Sequence, residues 1–307
     1  MAGRRFGLFA AVLGVVFCVS LFQLVGLALK SELYSHIPLI PLISLYMVWI
    51  TRNRLPPLCH ASPRLAFGIA GAGALAALAL GWFLIRGIAL PLNDRLALSM
   101  GAFVCFLISG AFYFFGWNCI RIVALPTFLL FFLLPFPTVV KNGLEVFLQQ
   151  SSAEASDWFF KLTPVPVHRE GVVFDLPGIT IQVAEECSGI RSSFVLFITG
   201  LIAGYMFLGN PWHRFWFSLL TIPLGILRNG FRVVVISMLC VYISPEMIHS
   251  PIHHRGGPIF FALSLIPLFG VLFLFRRRER RRTEGGGRMT EDGGRRTEGG
   301  GRMTDGG

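Results

Sequence analysis

Apolar blocks of about 16 to 28 residues, separated by short polar connections, run through most of the 307-residue chain. A block of that length crosses the hydrocarbon core of a bilayer as one helix, since each residue advances about 1.5 Å. Eight such spans can be read: Phe6–Leu29, Leu33–Ile50, Leu65–Ile85, Leu96–Phe115, Ile122–Phe136, Ser192–Leu208, Phe215–Ile243 and Ile259–Phe275. The expected fold class is therefore an all-α polytopic membrane protein with about eight transmembrane helices. Charged residues are 14% of the chain, against about 25% in soluble domains. That shortage excludes a soluble enzyme, a disulfide-stapled secreted module and a nucleic-acid-binding domain. The formal charge of +11 does not reopen the last of these, because ten of the arginines follow Phe275. The charge is a tail property and a topology signal.

Arg4 and Arg5 precede the first span, as in a signal peptide, but its apolar run is too long and lacks a small-x-small cleavage site, so it reads as an anchor. With both termini cytoplasmic, the inner connections hold Arg4, Arg5, Arg52, Arg54, Arg64, Arg121, Arg214 and the run Arg276–Arg282. Outer connections mix their basic residues with Asp and Glu. The positive-inside rule favours this orientation, which puts the long connection Pro137–Arg191 and the loop Ser244–Pro258 outside. The bilayer is thus one expected partner.

The long connection has an internal pattern. Leu144, Phe147, Leu148, Ala155, Trp158 and Phe159 recur with helical spacing, as in a helix lying in the interface. Beyond Pro164 and Pro166 the pattern alternates: Val172, Phe174, Leu176, a Pro177-Gly178 turn, then Ile179, Ile181 and Val183. That predicts a short extracytoplasmic β-hairpin running directly into Glu185–Ser193. At the other end, RRTEGGGRMTEDGG and RRTEGGGRMTDGG form a tandem repeat after Phe275. Its composition predicts a disordered Arg/Gly-rich tail over 276–307, beyond a transmembrane domain over 1–275.

Three features could carry chemistry. Cys18, Cys105, Cys119 and Cys240 sit in or beside apolar spans, where a thiol behaves as a small hydrophobe, and Cys59 falls in a cytoplasmic loop. Cys187 is the single cysteine in an outer segment, followed by Ser188, Gly189 and a helix start. It is either a packing residue at a span edge or a thiol whose pKa the helix N-terminus lowers. Arg228, Asn229 and Arg232 lie inside the seventh span, the two arginines four residues apart on one face. Arg232 would sit roughly 16 Å deep, so it must line a polar cavity or pair with an acid such as Glu185 or Glu186. His249, His253 and His254 occupy the last outer loop. A metal site there is disfavoured, since Pro251 breaks the helical geometry that His249 and His253 would need. A thiolate, an imidazole and a guanidinium on one face form a minimal set for acyl transfer.

These residues resemble the exosortase/archaeosortase family of protein-sorting membrane enzymes. The likeness lies in REGVVFDLPGITIQVAEECSGIRSS (Arg169–Ser193), NGFR (Asn229–Arg232) and HHRGGPIFF (His253–Phe261), in that order. It covers roughly residues 90–275. The resemblance implies a cysteine protease/transpeptidase of the bacterial inner membrane, with its active site facing the periplasm. Cys187 would be the nucleophile, Arg232 the oxyanion stabiliser and His253 the general acid/base, supported by Ser188, Gly189, Asn229 and Gly257. Arg228 and His254 are the weaker candidates for the last two roles. Substrates would be exported proteins with a C-terminal sorting signal: a PEP-CTERM-like motif, a transmembrane helix and an Arg-rich end. An acyl-enzyme would pass to an acceptor that the sequence does not identify, and no metal or cofactor is implied. The rival readings are a transporter or channel using its buried arginines, although no repeated broken helices are seen, and an intramembrane protease that only hydrolyses.

Overall fold

The computed structural model describes residues 2–56, 60–183, 189–244, 246–247 and 256–298, with side chains as far as 281. Ten α-helices appear among them: α1 Ala2–Val16, α2 Cys18–Lys30, α3 Leu39–Thr51, α4 Pro63–Ile85, α5 Leu92–Ile122, α6 Ala124–Leu129, α7 Thr138–Phe160, α8 Ile190–Phe207, α9 Pro211–Tyr242 and α10 Gly257–Glu298. Six segments are long and apolar enough to cross a membrane unaided, and eight if two bent helix pairs each count as one span. The all-α polytopic architecture expected from the apolar blocks is what the chain adopts.

Three spans depart from the simple reading. The first is not one helix: α1 and α2 meet at an angle of 74° around Phe17. No proline or glycine pair marks that break, and nothing in the structure explains it. In the fifth, α6 tightens into a 3₁₀ turn over Leu130–Leu133, and α7 leaves at 98°. Here the cause is plain, because Pro135 and Pro137 supply no backbone N–H to continue the ladder. The fourth span also runs past Phe115, with one non-helical residue at Gly116. The Ser62 hydroxyl accepts from the Trp117 N–H at 3.0 Å there, so a preceding loop lies across the break.

Contacts divide the chain into two compact units, Met1–Phe147 and Leu148–Gly307, with the division inside α7. The first is centred on α5, which buries Leu96, Met100, Ala102, Val104 and Ile108. It meets α4 closely at Gly73, where a Cβ would lie 3.0 Å from that of Cys105. Cys119, expected to act as a small hydrophobe, is disulfide-bonded.

The second unit carries a three-stranded antiparallel sheet, β1 His168–Glu170, β2 Val173–Leu176 and β3 Ile179–Gln182, in the order β1-β2-β3. The β2–β3 hairpin is the one expected, with Phe174 opposite Ile181 and Leu176 opposite Ile179 across Pro177-Gly178. Strand β1 is an addition, short and too charged to show an alternation. Phe174, Leu176, Ile181 and Val183 are buried with Ala153 and Phe160 of α7 and Val234 of α9. Gln149 donates to the Val183 carbonyl at 2.6 Å, fixing the end of β3 on α7. The hairpin thus delivers the chain to the start of α8 from a fixed base.

Candidate active site

Helices α8 and α9 run antiparallel, and small residues let them approach closely. A Cβ on Gly204 would lie 3.2 Å from the Phe217 ring, and one on Gly225 would lie 2.7 Å from Ser193 Oγ. At the top of this ladder, Gly189 caps α8 with φ +73°. A side chain there would be strained by its backbone and would collide with Asn229, whose Cγ lies 2.8 Å from the Cβ position. The register therefore runs forward along α9 as it runs back along α8, toward the segment carrying Cys187.

A polar seam fills the space this packing leaves. Asn229 is 2% exposed and donates through Nδ2 to Ser152 Oγ of α7 at 3.0 Å. Next to it, Gly230 presses on α7 so closely that a Cβ would lie 2.7 Å from Ala155 Cβ and 3.0 Å from backbone atoms. Arg228 is 7% exposed and donates from Nη2 to Ser192 Oγ at 2.5 Å. Ser192 in turn donates to the Gly189 carbonyl at 3.1 Å. One relay thus joins the buried guanidinium to the residue that starts α8.

Of the residues singled out by sequence, Arg228, Asn229 and Gly189 are brought together here. Arg232 follows one turn later on α9 and is half-buried. Gly257 begins α10, and Phe260 in its first turn packs edge-on against Phe231, with centroids 6.4 Å apart. The start of α10 is therefore beside the turn of α9 that bears Arg232. Cys187, Ser188, His253, His254, His249 and the two glutamates at 185 and 186 lie outside the described residues. Among the described residues no three His, Cys, Asp or Glu side chains gather as metal ligands would.

Sequence reasoning missed Ser152, Ser156 and Ser192. The signal available was the set of small residues Ser151, Ser152, Ala153, Ala155 and Ser156 on α7, interrupted by Glu154, which reads as an unremarkable polar stretch until Gly230 is seen to need it. It also missed a clamp at the start of α9, where Glu279 accepts from the N–H groups of Gly209 and Asn210 at 2.9 and 3.0 Å and from His213 Nδ1 at 2.6 Å. That carboxylate takes the two N–H groups just before α9, while the Asn210 side chain caps the helix by accepting from the Trp212 N–H at 2.9 Å.

The chain matches a family described as transmembrane exosortase over residues 28–270, a range that contains all three motif blocks. No curated protein and no solved structure matches it.

Proposed function

We propose, on the premise that this chain belongs to the transmembrane exosortase family, that residues 1–275 form a membrane-embedded cysteine transpeptidase built on Cys187, Arg232 and His253. In general terms the family makes the chain a membrane protein-sorting transpeptidase acting on exported proteins. The observation that carries the finer reading is the α8–α9 register. It seats Asn229 against Gly189, two residues after Cys187, and leaves Arg232 one turn later on α9. The Phe231–Phe260 contact brings the segment after His253 to the same turn.

In this reading the Cys187 thiolate attacks the carbonyl carbon at the scissile bond of a C-terminal sorting signal. A C–S bond forms and the carbonyl electrons move onto oxygen, where the Arg232 guanidinium supplies charge and directed donors. The oxyanion then collapses, the C–N bond breaks, and His253 protonates the departing amine. The resulting thioester passes to an acceptor nucleophile whose proton His253 removes. Gly189 and Asn229 hold the geometry, and Ser188 and Gly257 flank the reacting groups.

Orientation is proposed from the arginine distribution: an inner membrane location with the site facing the periplasm. One observation pulls the other way, because Cys119 lies two residues from Arg121 on the face assigned to the cytoplasm and is disulfide-bonded, and such bonds are rare there. An impermeant thiol reagent applied to intact cells bearing Cys187 as the sole cysteine decides the matter. Labelling before the cells are opened supports the orientation, and labelling only afterwards reverses it. The tail over 276–307 is proposed to be disordered on composition, although α10 is helical through Glu298. Limited proteolysis separates these: cleavage confined to residues after 276 supports disorder, and a protected tail overturns it. Substituting Cys187, Arg232 and His253 singly, and following processing of a protein with a C-terminal signal helix, tests the catalytic reading itself. Retained processing in Cys187→Ala sinks it.

A further inference from the structure

The first unit separates its charges. Six arginines gather at one end: Arg4 and Arg5 in the first turn of α1, Arg52 and Arg54 just after α3, Arg64 in the first turn of α4 and Arg121 in the last turn of α5. All six are exposed, and none pairs with a carboxylate among the described residues. The acids of this unit are Glu32, Asp94 and Glu145, and they lie at the other end. There Asn93 donates to the Tyr34 hydroxyl at 3.3 Å, Asp94 accepts from the Thr138 N–H at 2.5 Å, and Glu145 pairs with Lys141 at 3.2 Å. Lys30, Arg86 and Arg95 share that second end. The positive-inside rule accounts for a surplus of arginine on one side of a membrane. It does not account for what lies beneath this one.

Between α1, α3, α5 and α6 lies a chamber of about 740 Å³, the size of a small-molecule site. Four of the arginines are sequence neighbours of its walls: Arg4 of Gly3, Arg5 of Phe6, Arg54 of Leu55 and Arg121 of Ile120. The walls are apolar apart from Cys119, Thr127 and Ser44. Cys119 is disulfide-bonded, and Thr127 donates to the Val123 carbonyl at 2.9 Å. Ser44 is 6% exposed, and its hydroxyl meets no hydrogen-bond partner among the described residues. A helical hydroxyl has the carbonyl four residues back within reach, and Thr51 on the same helix uses it, donating to Met47 at 2.7 Å. A buried hydroxyl without a partner is destabilising, so Ser44 points to an acceptor from outside the chain. We propose that the first unit binds an anionic phospholipid, with its phosphate among the arginines, a hydrocarbon chain in the chamber and an ester carbonyl accepting from Ser44. Guanidinium forks match phosphate oxygens, and no acid at that end opposes an anionic head. Ser44 lies seven residues before Thr51, the last residue of α3, hence roughly 10 Å below the arginines. That depth suits the ester level of a lipid whose head sits beside Trp49, over which Arg52 lies at 5.1 Å. Free phosphate would leave the chamber and Ser44 unused, and a neutral lipid would leave the arginines unused. The proposal goes beyond the acyl-transfer reading and does not rest on it.

The test titrates full-length protein in a neutral detergent with dioleoylphosphatidylglycerol, dioleoylphosphatidylcholine or inorganic phosphate. Native mass spectrometry counts retained lipid, and the melting temperature is followed alongside. The expected result is one phosphatidylglycerol per chain with a raised melting temperature, phosphatidylcholine bound much more weakly, and no effect of phosphate alone. Replacing Arg4, Arg5 and Arg121 together by Gln should weaken phosphatidylglycerol on the order of 100-fold, whereas replacing them by Lys, which keeps the charge, should cost far less. Ser44→Ala should weaken it about three- to tenfold without lowering the melting temperature of the lipid-free protein. An ether-linked phosphatidylglycerol, which has no ester carbonyl, should bind the parent and Ser44→Ala alike. Ala111→Phe narrows the chamber and should abolish retention, and Ala111→Leu replaces it if that variant does not accumulate. Equal binding of the two dioleoyl lipids, or a shift reproduced by phosphate, overturns the proposal. So does undiminished binding in the Gln variant or in a folded Ala111 variant, or a Lys variant that fails as badly as the Gln one.

Discussion

The two units of this chain bury their interiors with different chemistry. Around α5 the first unit packs Leu96, Met100, Val104 and Ile108, with polar contacts such as the Ser99–Ser20 hydroxyl pair at 2.7 Å. Along α7 and α9 the second unit instead buries Ser152, Ser156, Thr221, Arg228, Asn229 and Ser237. Both interiors lie in segments that cross or adjoin a bilayer, where an apolar side chain is the cheaper choice. A polar seam kept under those conditions marks a place where the chain needs charge and hydrogen bonds for something besides folding. The first unit buries His36, Ser44, Thr51 and Ser99 as well, but no arginine and no amide among its described residues.

The largest expected effects break the comparison at the seam. Arg232→Ala should lower transfer about 10²- to 10³-fold, the usual cost of one oxyanion donor. Arg232→Lys should fail nearly as badly, because the guanidinium's directed fork is lost. Arg228→Lys should keep most activity, since it retains the cation. His253→Ala should block turnover and His254→Ala should be mild. Rates measured at matched membrane levels check all five, and comparable losses at Arg228 and Arg232 would shift the site by one helical turn.

Next in size is Gly230→Leu, which drives a branched side chain into the Ala155 backbone. Overpacking of this kind typically costs about 1–3 kcal/mol. It should also separate Asn229 from Ser152, so thermal stability and transfer fall together. Met100→Ala in the first unit sharpens the contrast: it should lower the melting temperature while transfer per folded molecule stays unchanged.

The smallest effect belongs to the rim. Arg169 donates to Glu154 at 2.6 Å, and the guanidinium holds that exposed carboxyl below its usual pKa. A depressed carboxyl favours the fold above its unfolded pKa, and that contribution fades as pH falls through the lower folded value. An acid melt of Glu154→Gln should therefore converge with the parent at low pH and lie slightly below it near neutrality. A gap that widens on acidification would contradict the pairing.

Much of this was legible in the sequence because single rules governed it. Strict alternation ending in Pro177-Gly178 gave the hairpin, and long apolar blocks gave the spans. Arginines inside one of those blocks pointed to α9. The stripe of the helix expected to lie in the interface is split: Phe147 and Trp158 are more than half exposed, whereas Leu148 and Ala155 are buried. In lipid the apolar side can face outward while Ser152, Ala153, Ala155 and Ser156 face the packing. The partners Ser152 and Ser192 could not be read at all, being common residues that lie 77 and 36 positions from Asn229 and Arg228. The bend at Phe17 has no sequence signature.

The central claim, that acyl transfer runs through Cys187 on a site organised by α8 and α9, is tested most directly by trapping the covalent intermediate. Purified protein would be incubated with a substrate carrying a C-terminal signal helix, quenched, and examined by peptide mass spectrometry, with hydroxylamine added in a parallel sample. The account predicts a substrate fragment joined to Cys187, absent in Cys187→Ala and released by hydroxylamine as its hydroxamate. Processing that proceeds with no adduct on Cys187, and persists in Cys187→Ala, would contradict it.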